Sequence, residues 1–307
     1  MTKILPIIAV VGPTATGKTA LGIALAKELR GEVVSADSRQ VYTGLDIGTG
    51  KVTEAEMDGI PHHLTDVADP KVRYSASDFV RAGRAAIADI ASRGKVPIIV
   101  GGTGFYIDAL LGRIDLAAAA PNETLRAELE LLSLEELQQK LQDVDPERYA
   151  TVDTQNRRRV ERAIEVALQP EVRPRAVSEV GPHSVYSVTW VGLALPLEEL
   201  RQRIVERLHA RLAAGMLDEA RHLNNQGLTL IRMRELGLEY RAMARHLEGE
   251  LTYEEMVAAL EVEIYQYAKR QITWFKRNKD IVWLSPQEAV SPRGIQGIRH
   301  SYMHKTG

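Results

Sequence analysis

The sequence contains no cysteine among its 307 residues. That absence excludes disulfides, thiolate metal sites and cysteine nucleophiles. No apolar run approaches the ~20 residues that a membrane-spanning helix needs, and the start of the chain lacks a signal-peptide pattern, so we expect a cytoplasmic protein with no membrane partner. The formal net charge is only −2. Any affinity for a nucleic acid must therefore come from local basic patches.

A phosphate-binding motif stands near the beginning of the chain. It has the pattern G-x-x-x-x-G-K-T, between the apolar run Ile7–Val11, which predicts a buried strand, and Ala20–Leu29, which predicts a helix. In that setting backbone N–H groups surround a phosphate at the helix N-terminus, while Lys18 adds a charge and Thr19 a hydroxyl for Mg²⁺. The residues predicted to bind a di- or triphosphate are Gly12, Pro13, Thr14, Ala15, Thr16, Gly17, Lys18 and Thr19.

Two more buried strands are predicted, at Glu32–Ala36 and Val96–Val100. Each is followed by a polar or glycine-rich stretch, Asp37–Tyr42 after the first and Gly101–Tyr106 after the second. Ligands of open α/β sheets bind beyond the carboxyl ends of the strands. We therefore expect Asp37 to lie beside the phosphate loop.

The stretch between these strands predicts one long functional loop, residues 43–74, followed by an amphipathic helix over Ser77–Ser92 with Ser75 or Ser77 as its N-cap. The adjacent pair His62–His63 lies inside the loop. Neighbouring side chains point in different directions on most backbones, so we do not expect the pair to share a metal.

After residue 116 the pattern changes to charged helical stretches, which predicts an inserted helical domain at residues 117–184 between core segments 1–116 and 185–307. The basic run Gln155–Arg162 fits either a solvated helix face or contacts to RNA phosphates. Gln169–Ser184 holds three prolines and predicts a linker.

The C-terminal core segment predicts a helix over Leu197–Leu212 that carries Arg203, Arg207 and Arg211 on one face. Facing solvent this arginine stripe would be unremarkable, whereas facing the phosphate loop it would bind an anion. Arg207 is our candidate for the diphosphate.

A second helix is predicted over Tyr253–Asn278, and its last part alternates basic and aromatic residues, as nucleic-acid surfaces do. Trp274 and Phe275 in that stretch could equally belong to the core. Beyond Pro286 we expect a weakly ordered tail.

Several motifs together resemble the bacterial tRNA dimethylallyltransferases, also called tRNA isopentenyltransferases. The patterns S-A-D-S-R-Q-V-Y and G-G-T-G-F-Y-I are far more specific than the phosphate loop. One departure is Gln169–Pro174, which stands where the family usually has a T-G-x-P segment. The matching stretches follow the family order over nearly the whole chain: Gly12–Thr19, Ser35–Tyr42, Gly44–Thr49, Ile60–Leu64, Tyr74–Ala76, Gly101–Ile107, Arg159–Val166 and Lys269–Phe275.

The resemblance implies an α/β fold, with a P-loop NTPase-like parallel sheet core and an inserted helical domain that grips the tRNA anticodon stem-loop. It implies transfer of a dimethylallyl group from dimethylallyl diphosphate, not ATP, to N6 of adenine 37 in tRNAs that read codons starting with U. The resemblance also implies that diphosphate is released and that Mg²⁺ is the cofactor, and we expect a monomer.

Roles carried over by position make Asp37 the general base, Thr103 the residue beside the reacting centre and Lys18 a catalytic cation. Thr19 is the implied metal ligand. The implied tRNA contacts are Asp37, Ser38, Arg39, Gln40, Thr103, Arg126, Arg158, Arg159, Val160, Glu161 and Arg162.

Three other functions fit parts of the pattern. A small-molecule kinase would share the fold and use Asp37 to activate a hydroxyl. Prenyl transfer to a free adenine nucleotide would not need the arginine-rich insertion. A non-catalytic RNA-binding protein would not need intact Lys18, Thr19 and Asp37.

Overall fold

The computed structural model describes residues 4–114, 116, 122–168 and 185–305. The chain forms two compact units, one made of Met1–Gly112 with Ser184–Gly307 and the other of Arg113–His183. The linker predicted at Gln169–Ser184 and the domain boundary predicted at residue 117 lie outside the described residues.

Within the described residues, the larger unit contains one six-stranded sheet in which every pairing is parallel. Its strands are β1 (Leu5–Val11), β2 (Gly31–Ser35), β3 (His62–His63), β4 (Val96–Gly101), β5 (Tyr186–Leu193) and β6 (Val282–Leu284). Their order across the sheet is β3-β2-β4-β1-β5-β6. The strands predicted around residues 32–36 and 96–100 are confirmed within one residue at each end.

The described helices are α1 (Lys18–Leu29), α2 (Glu54–Met57), α3 (Ala76–Ser92), α4 (Gly104–Leu110), α5 (Glu123–Glu130), α6 (Leu134–Val144), α7 (Pro146–Thr151), α8 (Arg157–Ala167), α9 (Leu197–Ala213), α10 (Met216–Asn225), α11 (Leu230–Glu235), α12 (Leu238–Leu247), α13 (Tyr253–Phe275), α14 (Pro286–Val290) and α15 (Pro292–Met303). No helix in these described ranges is long and apolar enough to cross a membrane.

The sheet is buried on both faces, which is why its strands are continuous apolar runs. Alternate residues of β1 point to opposite sides. Ile7, Ala9 and Val11 join the core formed with α3 and α4, whereas Ile8 and Val10 join the core formed with α1, α14 and α15. This packing leaves the carboxyl ends of the strands free to carry a site.

The prediction of one loop over residues 43–74 is wrong in part, because the segment contains α2 and β3. Strand β3 has only two residues, and it exists because His62 and His63 pair in parallel with Val33 and Val34 of β2. A pairing so short and so distant in sequence leaves no periodic pattern. Helix α3 is confirmed, with Ser75 as its N-cap.

The expectation of a weakly ordered tail beyond Pro286 is also wrong. Helices α14 and α15 bury Ala289, Ile295, Ile298 and Tyr302 against the α1 side of the sheet. Both helices begin with a proline, which is pre-organised for the first helical position, and serine side chains cap them. The prolines therefore start helices here instead of ending structure.

The smaller unit consists of α5, α6, α7 and α8 around its own apolar core. Leu129, Leu137, Leu141, Val160 and Ile164 are fully buried there. Ser133 and Glu136 form a capping box that begins α6. The helices predicted for this part of the sequence are thus present.

Candidate active site

The phosphate loop joins β1 to α1 with the backbone that an anion site requires. Gly12 has φ +144°, and a Cβ there would lie 2.6 Å from the carbonyl oxygen of Leu193, so only glycine fits. Gly17, at φ +80°, precedes the first residue of α1. The buried hydroxyl of Thr16 donates to the carbonyl of Pro13 at 2.8 Å and fixes the turn. Such a loop presents N–H groups to an anion at the helix N-terminus.

Two cations face this loop. Lys18 follows the turn, and burial lowers the pKa of its ammonium group to about 7, helped by the charge of Arg207 and opposed by that of Asp37. Arg207 of α9 donates to the hydroxyl of Thr14 at 3.4 Å and to the carbonyl of Gly50 at 2.9 Å. Burial also lowers the pKa of Arg207, and the neighbouring Arg211 adds to that effect.

The arginine stripe on α9 therefore splits into three different environments. Arg207 lies at the phosphate loop, Arg203 pairs with Glu199 at 2.8 Å, and Arg211 donates to the carbonyl of Gly48 at 2.8 Å. Only the middle arginine of the three is placed to contact a diphosphate directly.

The donor set fits a magnesium ion held together with a diphosphate. Thr19 is exposed and lines the same cavity as Lys18 and Asp37. Among the described residues no group of three or more His, Cys, Asp or Glu side chains could hold a metal alone. Mg²⁺ characteristically takes one or two protein ligands and completes its shell with phosphate oxygens and water.

Asp37 is fixed by the turn that follows β2. Its Oδ1 accepts hydrogen bonds from the backbone N–H groups of Arg39 at 2.8 Å and Gln40 at 3.4 Å. No hydrogen bond joins Oδ2 to another of the described residues, and the carboxylate lines the cavity. Asp37 thus stabilises its turn with one oxygen and presents the other to a ligand.

Thr103 links this turn to the loop after β4. Its hydroxyl accepts a hydrogen bond from the N–H of Ser38 at 3.1 Å, and its own N–H donates to the carbonyl of Ala36 at 3.2 Å. Burial raises the pKa of the Tyr267 phenol to about 12, and the side chain of Thr103 opposes that shift. Thr103 and the turn after β2 are therefore one connected structure, as their expected joint role requires.

Sequence reasoning missed two residues that hold the loops of this site. Gln271 of α13 is buried; its Oε1 accepts from the N–H of Thr14 at 2.9 Å and its Nε2 donates to the carbonyl of Gly102 at 2.9 Å. The stretch that contains it, Lys269–Phe275, was interpreted as a nucleic-acid surface, and Gln271 itself was given no role. Its position in that stretch was the only available signal.

The second missed residue is Glu219 of α10. Its carboxylate accepts hydrogen bonds from the N–H groups of Asp46 at 3.0 Å, Ile47 at 2.7 Å and Gly48 at 2.9 Å. The phenol of Tyr240 donates to the same carboxylate at 2.5 Å. These bonds hold the loop whose carbonyl at residue 50 accepts a hydrogen bond from Arg207. No local pattern in the sequence predicts this role for Glu219.

The larger unit thus brings a first group of predicted residues to one cavity. The predicted residues that line it are Thr14, Lys18, Thr19, Asp37, Ser38, Arg39, Gln40 and Arg207, and the lining also includes Tyr267 and Gln271, which were not predicted. Thr103 does not line it directly but bonds to Ser38, which does.

The second group of predicted residues lies in the helical unit. Most of the charged side chains in this group form ion pairs with other residues of the same unit. Arg126 and Arg162 bond to Glu165 at 2.7 Å and 2.9 Å. The carboxylate of Glu165 is only 2% exposed; burial alone would raise its pKa, but these two arginines outweigh burial and lower it. Arg126 and Arg162 therefore neutralise a buried charge of their own unit.

The remaining members of that group are on α8. Arg159 lies 3.4 Å from Asp153, Glu161 accepts from Arg157 at 2.7 Å, and Arg158 also has a partner. The side chain of Val160 is fully buried in the core of the unit. Any RNA contact at residue 160 must therefore come from its backbone.

Phe275, in the basic and aromatic stretch of α13, is likewise a core residue at 3% exposure. Trp274 is half-buried, and its indole N–H donates to Asp108 at 2.8 Å.

Comparison with known proteins identifies the family. A family model described as "IPP transferase" matches residues 40–278, and one described as "Isopentenyl transferase" matches residues 5–66. The chain is 43% identical over 272 residues to "tRNA dimethylallyltransferase 1" of Geotalea uraniireducens, covering 88% of each chain. It is 42% identical over 307 residues to "tRNA dimethylallyltransferase 2" of Syntrophotalea carbinolica, covering 97% of this chain and 98% of that one.

Solved structures agree. The full-length tRNA isopentenylpyrophosphate transferase of Bacillus halodurans superposes with a TM-score of 0.74 at 34% identity, covering 99% of this chain and 98% of that one. A eukaryotic dimethylallyltransferase described as acting on tRNA gives a TM-score of 0.79 at 25% identity, covering 98% of this chain and 80% of that one. The chain belongs to the tRNA dimethylallyltransferase family, whose members are prenyl-transferring enzymes that modify tRNA.

Proposed function

We propose that the protein transfers the dimethylallyl group of dimethylallyl diphosphate to N6 of adenine 37 of tRNAs that read codons starting with U. The observation that carries the proposal is the cavity in which the carboxylate of Asp37 meets the phosphate loop, Lys18 and Arg207. A proton acceptor and an anion site then face the same reacting centre. We further propose that it acts as a monomer in the cytoplasm.

The diphosphate end of the reaction needs positive charge. As the allylic C–O bond breaks, negative charge grows on the diphosphate and positive charge grows on the allyl carbon. Lys18, Arg207 and the N–H groups of the loop would stabilise the leaving group. Thr19 would hold Mg²⁺ together with diphosphate oxygens, where the ion supplies further positive charge.

The acceptor end of the reaction needs a base. The adenine N6 amine is a poor nucleophile, because its lone pair is delocalised into the ring. The Oδ1 atom of Asp37 accepts hydrogen bonds from the backbone of residues 39 and 40, which leaves Oδ2 as the atom that would accept the N6 proton as the new C–N bond forms. The target base must leave the RNA stack, at a cost of a few kcal/mol that contacts in the site offset.

One reaction mixture separates this function from its alternatives. The protein is incubated with Mg²⁺, unmodified tRNA, a free adenine nucleotide and either labelled dimethylallyl diphosphate or γ-labelled ATP. We expect prenyl label in the tRNA alone, and loss of that label by orders of magnitude in Lys18→Ala with tRNA binding retained. Label in the free nucleotide, phosphoryl transfer from ATP, or normal turnover by Lys18→Ala would each contradict the proposal.

A further inference from the structure

The C-terminal end of α13 and the turn that follows it carry exposed cations that have no carboxylate partner among the described residues. Among the described residues, no acidic side chain forms an ion pair with Arg270, Lys276, Arg277 or Lys279. This contrasts with Arg126 and Arg162 of the helical unit, which bond to a buried glutamate. Unpaired cations concentrated on one surface attract an anionic partner.

Aromatic rings lie among these cations in a fixed arrangement. The guanidinium of Arg277 covers the ring of Trp274 at 3.9 Å from its centroid, and Arg270 lies 5.8 Å from the ring of Tyr267. Phe105 meets Trp274 edge to face, with centroids 6.3 Å apart and planes at 86°. A Cβ on Gly104 would lie 2.2 Å from the indole, so only glycine permits this approach.

Phe105 is the exposed member of the group. It keeps 39% of its surface accessible, although it is a large apolar side chain. It stands two residues after Thr103, whose hydroxyl bonds to the turn that carries Asp37. An exposed ring and a guanidinium plane thus adjoin the acceptor side of the site.

We propose that this stacking surface, formed by Phe105, Trp274, Arg270 and Arg277, binds an unpaired base of the RNA loop beside the adenosine that enters the cavity. The proposal rests on the proposed function, because extrusion of one base leaves its neighbours without a stacking partner. Aromatic side chains and arginine planes are the groups that stack single-stranded bases, and the flanking lysines neutralise phosphates.

The test uses an anticodon stem-loop with 2-aminopurine next to the target adenosine, whose fluorescence falls when the base stacks. Phe105→Leu removes the ring but keeps apolar volume, and Arg277→Gln removes the covering guanidinium. Lys279→Gln is the matched control, since it removes a cation of the same surface that covers no ring. Thermal unfolding of each variant verifies the fold.

We expect the wild type to quench the probe, and Phe105→Leu and Arg277→Gln to bind the stem-loop about 5- to 100-fold more weakly with little quenching. Lys279→Gln should still quench and should only reduce the salt dependence of binding by about one phosphate contact. Binding of dimethylallyl diphosphate alone should not change in any of the three.

Equal affinity and equal quenching in Phe105→Leu and Arg277→Gln would overturn the inference. The inference would also be overturned if the two variants bound the RNA as the wild type does but lost binding to polyglutamate. That result would assign the surface to an acidic protein segment. Binding is measured apart from transfer. A wild-type chain that binds the stem-loop but transfers no dimethylallyl group would instead contradict the proposed function.

Discussion

The side-chain oxygen of Gln271 accepts a hydrogen bond from the backbone N–H of Thr14 at 2.9 Å, across 257 residues of sequence. The amide nitrogen of the same side chain donates to the carbonyl of Gly102 at 2.9 Å. One buried amide therefore sets the distance between the loop expected to bind the diphosphate and the loop that leads to Thr103. The relative positions of the prenyl donor and the acceptor adenine should therefore depend on Gln271, a residue that we expect to touch neither reacting group.

Replacing Gln271 with methionine should preserve its size and remove both hydrogen bonds. Two buried polar groups of the backbone then lose their partner, at about 1–3 kcal/mol each in the free energy of unfolding. We expect kcat to fall more than either KM changes, because the loops still bind their ligands but hold them in poorer alignment. Urea unfolding and steady-state kinetics measure both effects, and wild-type kcat in a destabilised variant would contradict the positioning role.

Binding of dimethylallyl diphosphate should take up a proton at Lys18. The pKa of Lys18 is lowered to about 7 by burial, and an anion beside it must raise that pKa again. At about pH 8 most Lys18 is neutral before binding and charged afterwards, whereas at about pH 6 it is charged throughout. The contribution of Lys18 to the affinity for dimethylallyl diphosphate should therefore decline as the pH rises above the pKa of Lys18 in the ligand-free protein.

Calorimetry in buffers of different ionisation enthalpy measures that proton uptake. Lys18→Arg is the control, since its guanidinium stays charged over the whole pH range. Any proton uptake that remains in this variant comes from the ligand itself. Identical proton uptake by the two proteins at about pH 8 would show that Lys18 does not meet the diphosphate.

Glu219→Gln should weaken donor binding from outside the cavity. Its amide N–H₂ would face backbone N–H groups that now donate to a carboxylate, and such bonds to charged groups are worth about 1.5–3 kcal/mol each. The loop to which Arg207 is bonded should loosen, so we expect KM to rise for dimethylallyl diphosphate and to change little for tRNA.

Glu199→Gln on α9 is the matched control, because it breaks an exposed ion pair with Arg203 that is worth about 1 kcal/mol or less. Equal KM values for Glu219→Gln and the wild type would remove Glu219 from the positioning of Arg207.

Charge reversal in the helical unit should affect stability as well as RNA binding. Arg162→Glu places a second carboxylate against the buried Glu165 and should cost about 3 kcal/mol, the low end for a broken buried pair, since Arg126 remains. Arg159→Glu breaks only an exposed contact with Asp153 and should cost about 1 kcal/mol or less. Denaturant unfolding that ranks the two variants in the opposite order would contradict this account of Glu165.

Local signals in the sequence predicted three of the six described strands and the residues at the carboxyl ends of these strands. The runs that became β1, β2 and β4 are apolar enough to be identified alone, and each is followed by turn residues that place Asp37 and Thr103 together. Helices α9 and α13 were likewise predicted from the helical periodicity of their sequences.

The remaining features depend on contacts that no local pattern encodes. Strand β3 exists only because it pairs with β2, and Gln271 and Glu219 act on loops far away in the chain. The tail was misjudged for a different reason. Its serine caps and first-turn prolines are helix-start signals, which the prediction of a weakly ordered terminus did not use.

The central claim is that Asp37 accepts the N6 proton, and Asp37→Asn tests it most directly. The amide oxygen of asparagine can keep the hydrogen bonds from the N–H groups of Arg39 and Gln40, so the turn survives while the free oxygen is replaced by a group that cannot take a proton. Single-turnover transfer from dimethylallyl diphosphate to tRNA should fall by about 10²–10⁴-fold, the usual loss for a general base, with tRNA affinity little changed. A single-turnover rate within about threefold of wild type would contradict the assignment of Asp37 as the base.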